Sequence, residues 1–233
     1  MGDIPGTSTD LHSVSALVLV PAYNAAAYLP ELIPRLRAFV CDENLLVVND
    51  GSRDETEAIL QKLNVRHLTH DVNRGKGSAL KTGFDYAIEK GYRSVLTIDA
   101  DLQHLPEELP RFYACDDGNT IVIGTRQIHL SIMPFDRWLT NNLTSLIISV
   151  FSTQRVRDSQ SGYRLIPVSA LRVLRLKTVN YDFESEMLFK SGRLGIRIDE
   201  VPISTVYAGS HSYINPTKDT FRFIRQIWKR IWG

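Results

Sequence analysis

Ser94-Val95-Leu96-Thr97-Ile98-Asp99-Ala100-Asp101-Leu102-Gln103-His104 is the stretch around which the chain is read. Val95 to Ile98 is short, apolar and rich in β-branched residues, which predicts a buried strand. It ends in two carboxylates one residue apart, with an amide two positions further on. Open parallel α/β sheets bind ligands at the carboxyl ends of their strands. Two carboxylates and an amide at such an end are hard oxygen donors suited to a divalent cation, and a cation there can hold a diphosphate. The same aspartates could instead cap a helix or form a turn, so the flanking sequence has to decide.

Upstream, three apolar runs read as strands, at residues 16–20, 45–48 and 65–68. They close in Pro21-Ala22-Tyr23-Asn24, in Asn49-Asp50-Gly51-Ser52 and in a turn. Helical spacing fills the gaps: 25–40, with Pro34 expected to shorten or kink it, 54–63, and a helix to about 90 opened by Asn73-Arg74-Gly75-Lys76-Gly77-Ser78. Downstream come a short helix from Pro106 and a strand at 121–123 ending in Gly124-Thr125-Arg126. Strands alternating with helices predict a doubly wound, mostly parallel sheet flanked by helices. After Arg126 the rhythm changes to a long helix at 135–151 and a polar loop, Asp158-Ser159-Gln160-Ser161-Gly162-Tyr163-Arg164. Helices near 168–174 and from about 183 follow, then a strand region at 196–207, where Pro202 suggests an edge or bend.

The chain has 233 residues, enough for one large α/β domain. Its net charge of +1 gives no reason to expect nucleic acid as a partner. Cys41 and Cys115 fit no metal-ligand spacing and read as reduced thiols of a cytosolic protein. Residues 1–13 read as a polar tail rather than a signal peptide. No run approaches the ~20 apolar residues that span a bilayer. Residues 221–232, however, divide completely around a helical wheel. Phe221, Phe223, Ile224, Ile227, Trp228, Ile231 and Trp232 take one half; Arg222, Arg225, Gln226, Lys229 and Arg230 take the other. Such a helix either lies on an anionic membrane or docks on the domain through its apolar half.

The chemistry-bearing residues have competing bland readings. Asn73-Arg74-Gly75-Lys76-Gly77 is not a Walker loop, since the Gly-Lys-Ser/Thr spacing is absent; its glycines still admit a ligand, and Lys76 is a point charge suited to phosphate. Arg126, Arg137, Arg155, Arg157 and Arg164 make 126–164 locally basic, as an anionic acceptor would require. If the acceptor were a hydroxyl it would need a general base, and Asp158, Glu184 and Glu186 are the candidates; the two glutamates could equally orient the helix they open. His104 and His211 are further candidate ligands.

Taken in order, these motifs resemble the family 2 glycosyltransferases of the GT-A fold, and within them the dolichyl-phosphate mannose and glucose synthase group with its bacterial polyprenyl-phosphate relatives. The motifs are Val20-Pro21-Ala22-Tyr23-Asn24, Asn49-Asp50-Gly51-Ser52-Arg53-Asp54, Asn73-Arg74-Gly75-Lys76-Gly77, Asp99-Ala100-Asp101-Leu102-Gln103-His104, Gly124-Thr125-Arg126 and the loop 158–164. The resemblance implies a tail at 1–14, a GT-A domain at 15–212 and an amphipathic helix at 213–233. Within the domain, 15–126 would be the nucleotide-sugar half and 127–212 the acceptor half. It places Pro21, Tyr23, Asn24 and Asp50 around base and ribose, and Lys76, Asp99 and Ala100 at the nucleotide sugar. Mg²⁺ or Mn²⁺ would sit on Asp99, Asp101 and Gln103. Arg126 and Arg137 would meet the acceptor phosphate, with Gln160 and Arg164 beside them; Asp101, Arg126 and Arg137 carry catalysis in this reading. The implied reaction is inverting transfer of one sugar from a nucleotide-diphosphate sugar to a lipid-linked phosphate, by a peripheral enzyme on the cytoplasmic membrane face. The alternative is transfer to a saccharide or glycan hydroxyl.

Overall fold

A computed structural model describes residues 16–126, 145, 149, 154–176 and 183–204. The long helix expected at 135–151 with Arg137, the segment carrying His211 and the helix expected at 221–232 therefore lie wholly or mostly outside the described residues. Seven strands form one sheet: β1 (Ala16–Ala22), β2 (Leu45–Asn49), β3 (His67–Thr69), β4 (Ser94–Thr97), β5 (Ile121–Arg126), β6 (Arg164–Pro167) and β7 (Ile198–Ile203), in the order β3-β2-β1-β4-β6-β5-β7. Six α-helices are bounded among the described residues: α1 (Leu29–Arg37), α2 (Thr56–Lys62), α3 (Lys76–Glu89), α4 (Leu109–Tyr113), α5 (Val168–Leu174) and α6 (Phe183–Arg193). Among the described residues no helix is long and apolar enough to cross a membrane.

The strands at the middle of the sheet are mostly apolar and buried because both faces there are covered. Side chains alternate across a strand, so β1 sends Val18 and Val20 to one core and Leu17 and Leu19 to the other. Leu45 and Val47 of β2 join the first core, Leu46 and Val48 the second. Leu29, Leu32, Ile33 and Leu36 of α1, with Leu109 and Phe112 of α4, close the first face. Ala79, Leu80, Phe84 and Ala87 of α3, with α5 and α6, close the second. Gly83 lets α3 sit against β1: a Cβ there would lie 2.3 Å from a Leu19 methyl carbon.

Two expectations are corrected. The helix expected at 25–40 runs only over Leu29–Arg37, with Pro34 inside it. Residues before it form a turn in which the Ala25 amide donates to Thr56 Oγ1. Arg164, read as the last residue of a polar loop, instead opens a strand over Arg164–Pro167 that is antiparallel to both β4 and β5. That reversal positions the site. β1, β2, β4 and β5 end at one edge of the sheet, and β6 begins there, with Thr97 opposite Arg164. The loop before β6 is thereby delivered to the edge where Asp99 and Asp101 emerge.

Candidate active site

β2 and β3 lie on one side of β1 and β4 lies on the other. The crevice between β1 and β4 is thus a point where strand order reverses, the usual ligand position in such sheets. Ile98-Asp99-Ala100-Asp101 leaves β4 at this crevice. Asp101 Oδ1 accepts from the Gln103 amide at 3.1 Å, and Leu102 between them takes a left-handed φ of 60°. The three expected metal donors therefore belong to one tight turn. Burial, and then the neighbouring Asp99 charge, raise the Asp101 carboxyl above its ordinary range. Two carboxylates crowded into a half-buried turn are the donor set a divalent cation would relieve, so the residues fit such an ion. Among the described residues no third His, Cys, Asp or Glu joins them in a metal-binding group. His104, which the sequence offered as a further ligand, is instead buried against the Tyr163 ring. Burial lowers its pKa to about 4, so it is neutral near pH 7, and its Nδ1 has no hydrogen-bond partner among the described residues.

Lys76, the first residue of α3, reaches into this corner. Its Nζ lies 2.7 Å from Asp99 Oδ1 and 2.9 Å from Glu184 Oε1 on α6. Burial opposes the ammonium, but the two carboxylates outweigh it and raise the Lys76 pKa. The same pairing outweighs burial at Asp99 and holds that carboxyl down. Asp50 fixes the loop that launches Lys76. Its Oδ1 accepts from the Arg74 amide and lies 2.7 Å from His70 Nδ1, and its Oδ2 accepts from the Gly75 amide at 2.8 Å. Gly75 has a φ of 93°, which favours glycine. The sequence reading gave Asp50 to base and ribose; in the structure it is 2% exposed and pins the loop. Asn24 ties two loops together, its amide donating to Ser52 Oγ and its Oδ1 accepting from the Arg53 amide. Pro21 lies within β1, Tyr23 presents an exposed ring beside Asn24, and Ala100 is buried.

On the other side, Arg126 ends β5 and grips Asp158 through two bonds, Nε to Oδ2 at 2.6 Å and Nη2 to Oδ1 at 2.9 Å. Asp158 is fully buried; burial alone would raise its carboxyl, and Arg126 outweighs it. A carboxylate so held is a poor proton acceptor, which removes it as a general base. Gln160 is exposed at the surface, its amide donating to Asp158 Oδ1. The expectation for Arg164 is corrected. It is 1% exposed and donates from Nε, Nη1 and Nη2 to the main-chain carbonyls of Ser161, Glu184 and Ser159. Three of its five N–H donors staple the loop to α6, and its burial keeps it from an acceptor at the surface.

Gly162 is a site residue that composition and spacing did not single out. Thr97 Oγ1 donates to its carbonyl at 2.7 Å, and a Cβ on it would lie 2.3 Å from Asp99 Oδ2. Only glycine leaves room for the Asp99 carboxylate. The one signal available in the sequence was a glycine inside a polar motif.

With this geometry in view, comparison with known proteins is direct. The family model described as "Glycosyl transferase family 2" matches residues 17–175. An undecaprenyl-phosphate mannosyltransferase of Micrococcus luteus is 33% identical over 82% of this chain and 83% of its own. A UDP-N-acetylglucosamine–dolichyl-phosphate N-acetylglucosaminyltransferase of Methanococcus voltae is 31% identical over 82% and 85%. In fold the chain is similar to glucosyl-3-phosphoglycerate synthase of Mycobacterium tuberculosis, a structure solved with Mn²⁺ and UDP. The TM-score is 0.74 at 20% identity, covering 99% of this chain and 86% of that one. The matched residues run through the strands and loops that build this corner, from β1 to the end of α5, and the chain belongs to the family 2 glycosyltransferases.

Proposed function

We propose that this glycosyltransferase moves one sugar, with inversion, from a nucleotide-diphosphate sugar of the GDP-mannose or UDP-glucose type to a polyprenyl or dolichyl phosphate. The observation that carries the acceptor class is the state of the candidate bases. Asp158 is held by Arg126, Glu184 by Lys76 and Glu186 by Lys190 at 2.8 Å. A hydroxyl acceptor would need one of them to take its proton. A phosphate acceptor is already an anion near neutral pH and needs no such base. The names of the relatives agree with this reading.

Asp99, Asp101 and Gln103 would hold Mg²⁺ or Mn²⁺, which when bound offsets negative charge on the departing diphosphate. The Mn²⁺ and UDP in the fold neighbour support that choice. The chain's own residues then have separate tasks. Tyr23 offers a ring face to the base, with Pro21 and Asn24 shaping the loop around it. Lys76 supplies a positive charge for the phosphates. Arg126, held in one orientation by Asp158, faces the acceptor phosphate together with Arg137. Residues 15–126 form the donor half and 127–212 the acceptor half, and the amphipathic segment at 221–232 rests on the cytoplasmic membrane face.

The test is a transfer assay with purified protein, labelled GDP- and UDP-sugars and polyprenyl phosphate. Label should pass into the organic phase with one donor class and stop on adding EDTA. Label that moves only to a soluble saccharide would select the hydroxyl acceptor instead, and tight nucleotide binding without transfer to either would leave a binding protein.

A further inference from the structure

Lys76 occupies an unusual place for a phosphate-binding lysine. It bridges Asp99 and Glu184 at 2.7 and 2.9 Å, so it is already spending its charge on one of the expected cation ligands. Its backbone is fixed by the Gly75–Asp50 bond behind it and by the close seating of α3 on Leu19. Asp99 has little freedom to turn away, because Gly162 packs against its carboxylate. An ammonium at hydrogen-bond distance from Asp99 Oδ1 repels a divalent cation approaching the same carboxylate.

Building on the donor reading above, we propose that Lys76 is an internal counter-ion that makes metal binding and nucleotide binding depend on each other. Without nucleotide it neutralises Asp99 and keeps metal affinity low. A nucleoside diphosphate offers the ammonium a better-charged partner, draws it from Asp99 while it stays paired with Glu184, and leaves the Asp99 carboxylate to the cation. Because coupling between two ligands is reciprocal, the metal must raise nucleotide affinity by the same factor. Lys76 thereby acts as a positioning residue for the cation as well as a phosphate contact.

Mn²⁺ binding without nucleotide, followed by the electron paramagnetic resonance of free Mn²⁺, separates this role from simple phosphate binding. Lys76→Met should bind Mn²⁺ alone roughly tenfold more tightly than the parent, within the usual span of such couplings. Lys76→Arg keeps the charge and should stay near the parent. Equal or weaker Mn²⁺ binding by Lys76→Met overturns the counter-ion. Should the Met variant not fold, the parent still decides through the Lys76 ammonium resonance, assigned by its loss in Lys76→Arg. The resonance should hold its position with Mg²⁺ alone and shift when Mg²⁺ and UDP or GDP are added together; displacement by Mg²⁺ alone overturns the proposal. If the parent binds no Mn²⁺ even with UDP or GDP present, the cation reading beneath the proposal falls as well.

Discussion

Gly162, in the loop before β6, and Arg164, the first residue of β6, sit two residues apart and make opposite demands. Gly162 matters because it lacks a side chain: its Cβ would meet Asp99 Oδ2, Cγ and Oδ1 at 2.3, 2.8 and 2.8 Å. Gly162→Ala should therefore push the carboxylate aside while the sheet stays intact. A misplacement of about 1 Å near reacting groups costs about 10²-fold in rate. We expect kcat to fall by about that factor, with an unchanged circular-dichroism spectrum; parental turnover would show that Asp99 can sit elsewhere. Arg164 matters for its long side chain. It is buried among Ser159, Ser161 and the start of α6, and burial lowers its pKa against the pull of Glu184, Asp158 and Asp99. Arg164→Met leaves three carbonyl oxygens without their donor. Each buried acceptor left without a donor costs about 1–3 kcal/mol, to be read as a lowered urea midpoint. A variant of parental stability that had lost acceptor affinity would restore the phosphate-binding role.

The elements that were legible in the sequence are those whose character is local. β1, β2 and β4 are mostly apolar and almost wholly buried, and the acidic turn after β4 stands out against them. β6 was not legible. Arg164-Leu165-Ile166-Pro167 begins with a charge, ends with proline and follows a polar loop. It is a strand because β4 and β5 lie on either side of it, a property of partners far away along the chain. The same holds for the site. Asp99 and Asp101 could be found from spacing, but the Lys76–Glu184 and Gly162–Asp99 contacts join distant segments. Arg164 was misread for the same reason: an arginine in a basic stretch looks solvent-facing until its carbonyl partners are placed.

For the protein in its setting, the proposed acceptor is a lipid, and the described residues hold no helix able to cross a membrane. Residues 221–232 are the proposed contact with the membrane that holds it. Two tryptophans, an apolar half and four cations should bind anionic bilayers. Trp228→Ala with Trp232→Ala should cut pelleting with anionic liposomes several-fold, and should change turnover of a short-chain soluble acceptor much less. Equal pelleting of variant and parent would assign residues 221–232 to docking on the domain. Under all of this lies one claim, that the turn after β4 presents a cation to a leaving diphosphate. The most direct measurement is the anomalous scattering of a crystal soaked with Mn²⁺ and UDP or GDP. The account predicts a manganese peak shared by Asp99, Asp101 and the diphosphate, with the Lys76 ammonium turned to the phosphates. A nucleotide bound in the crevice with no peak at that turn, and with Lys76 still on Asp99, would contradict it.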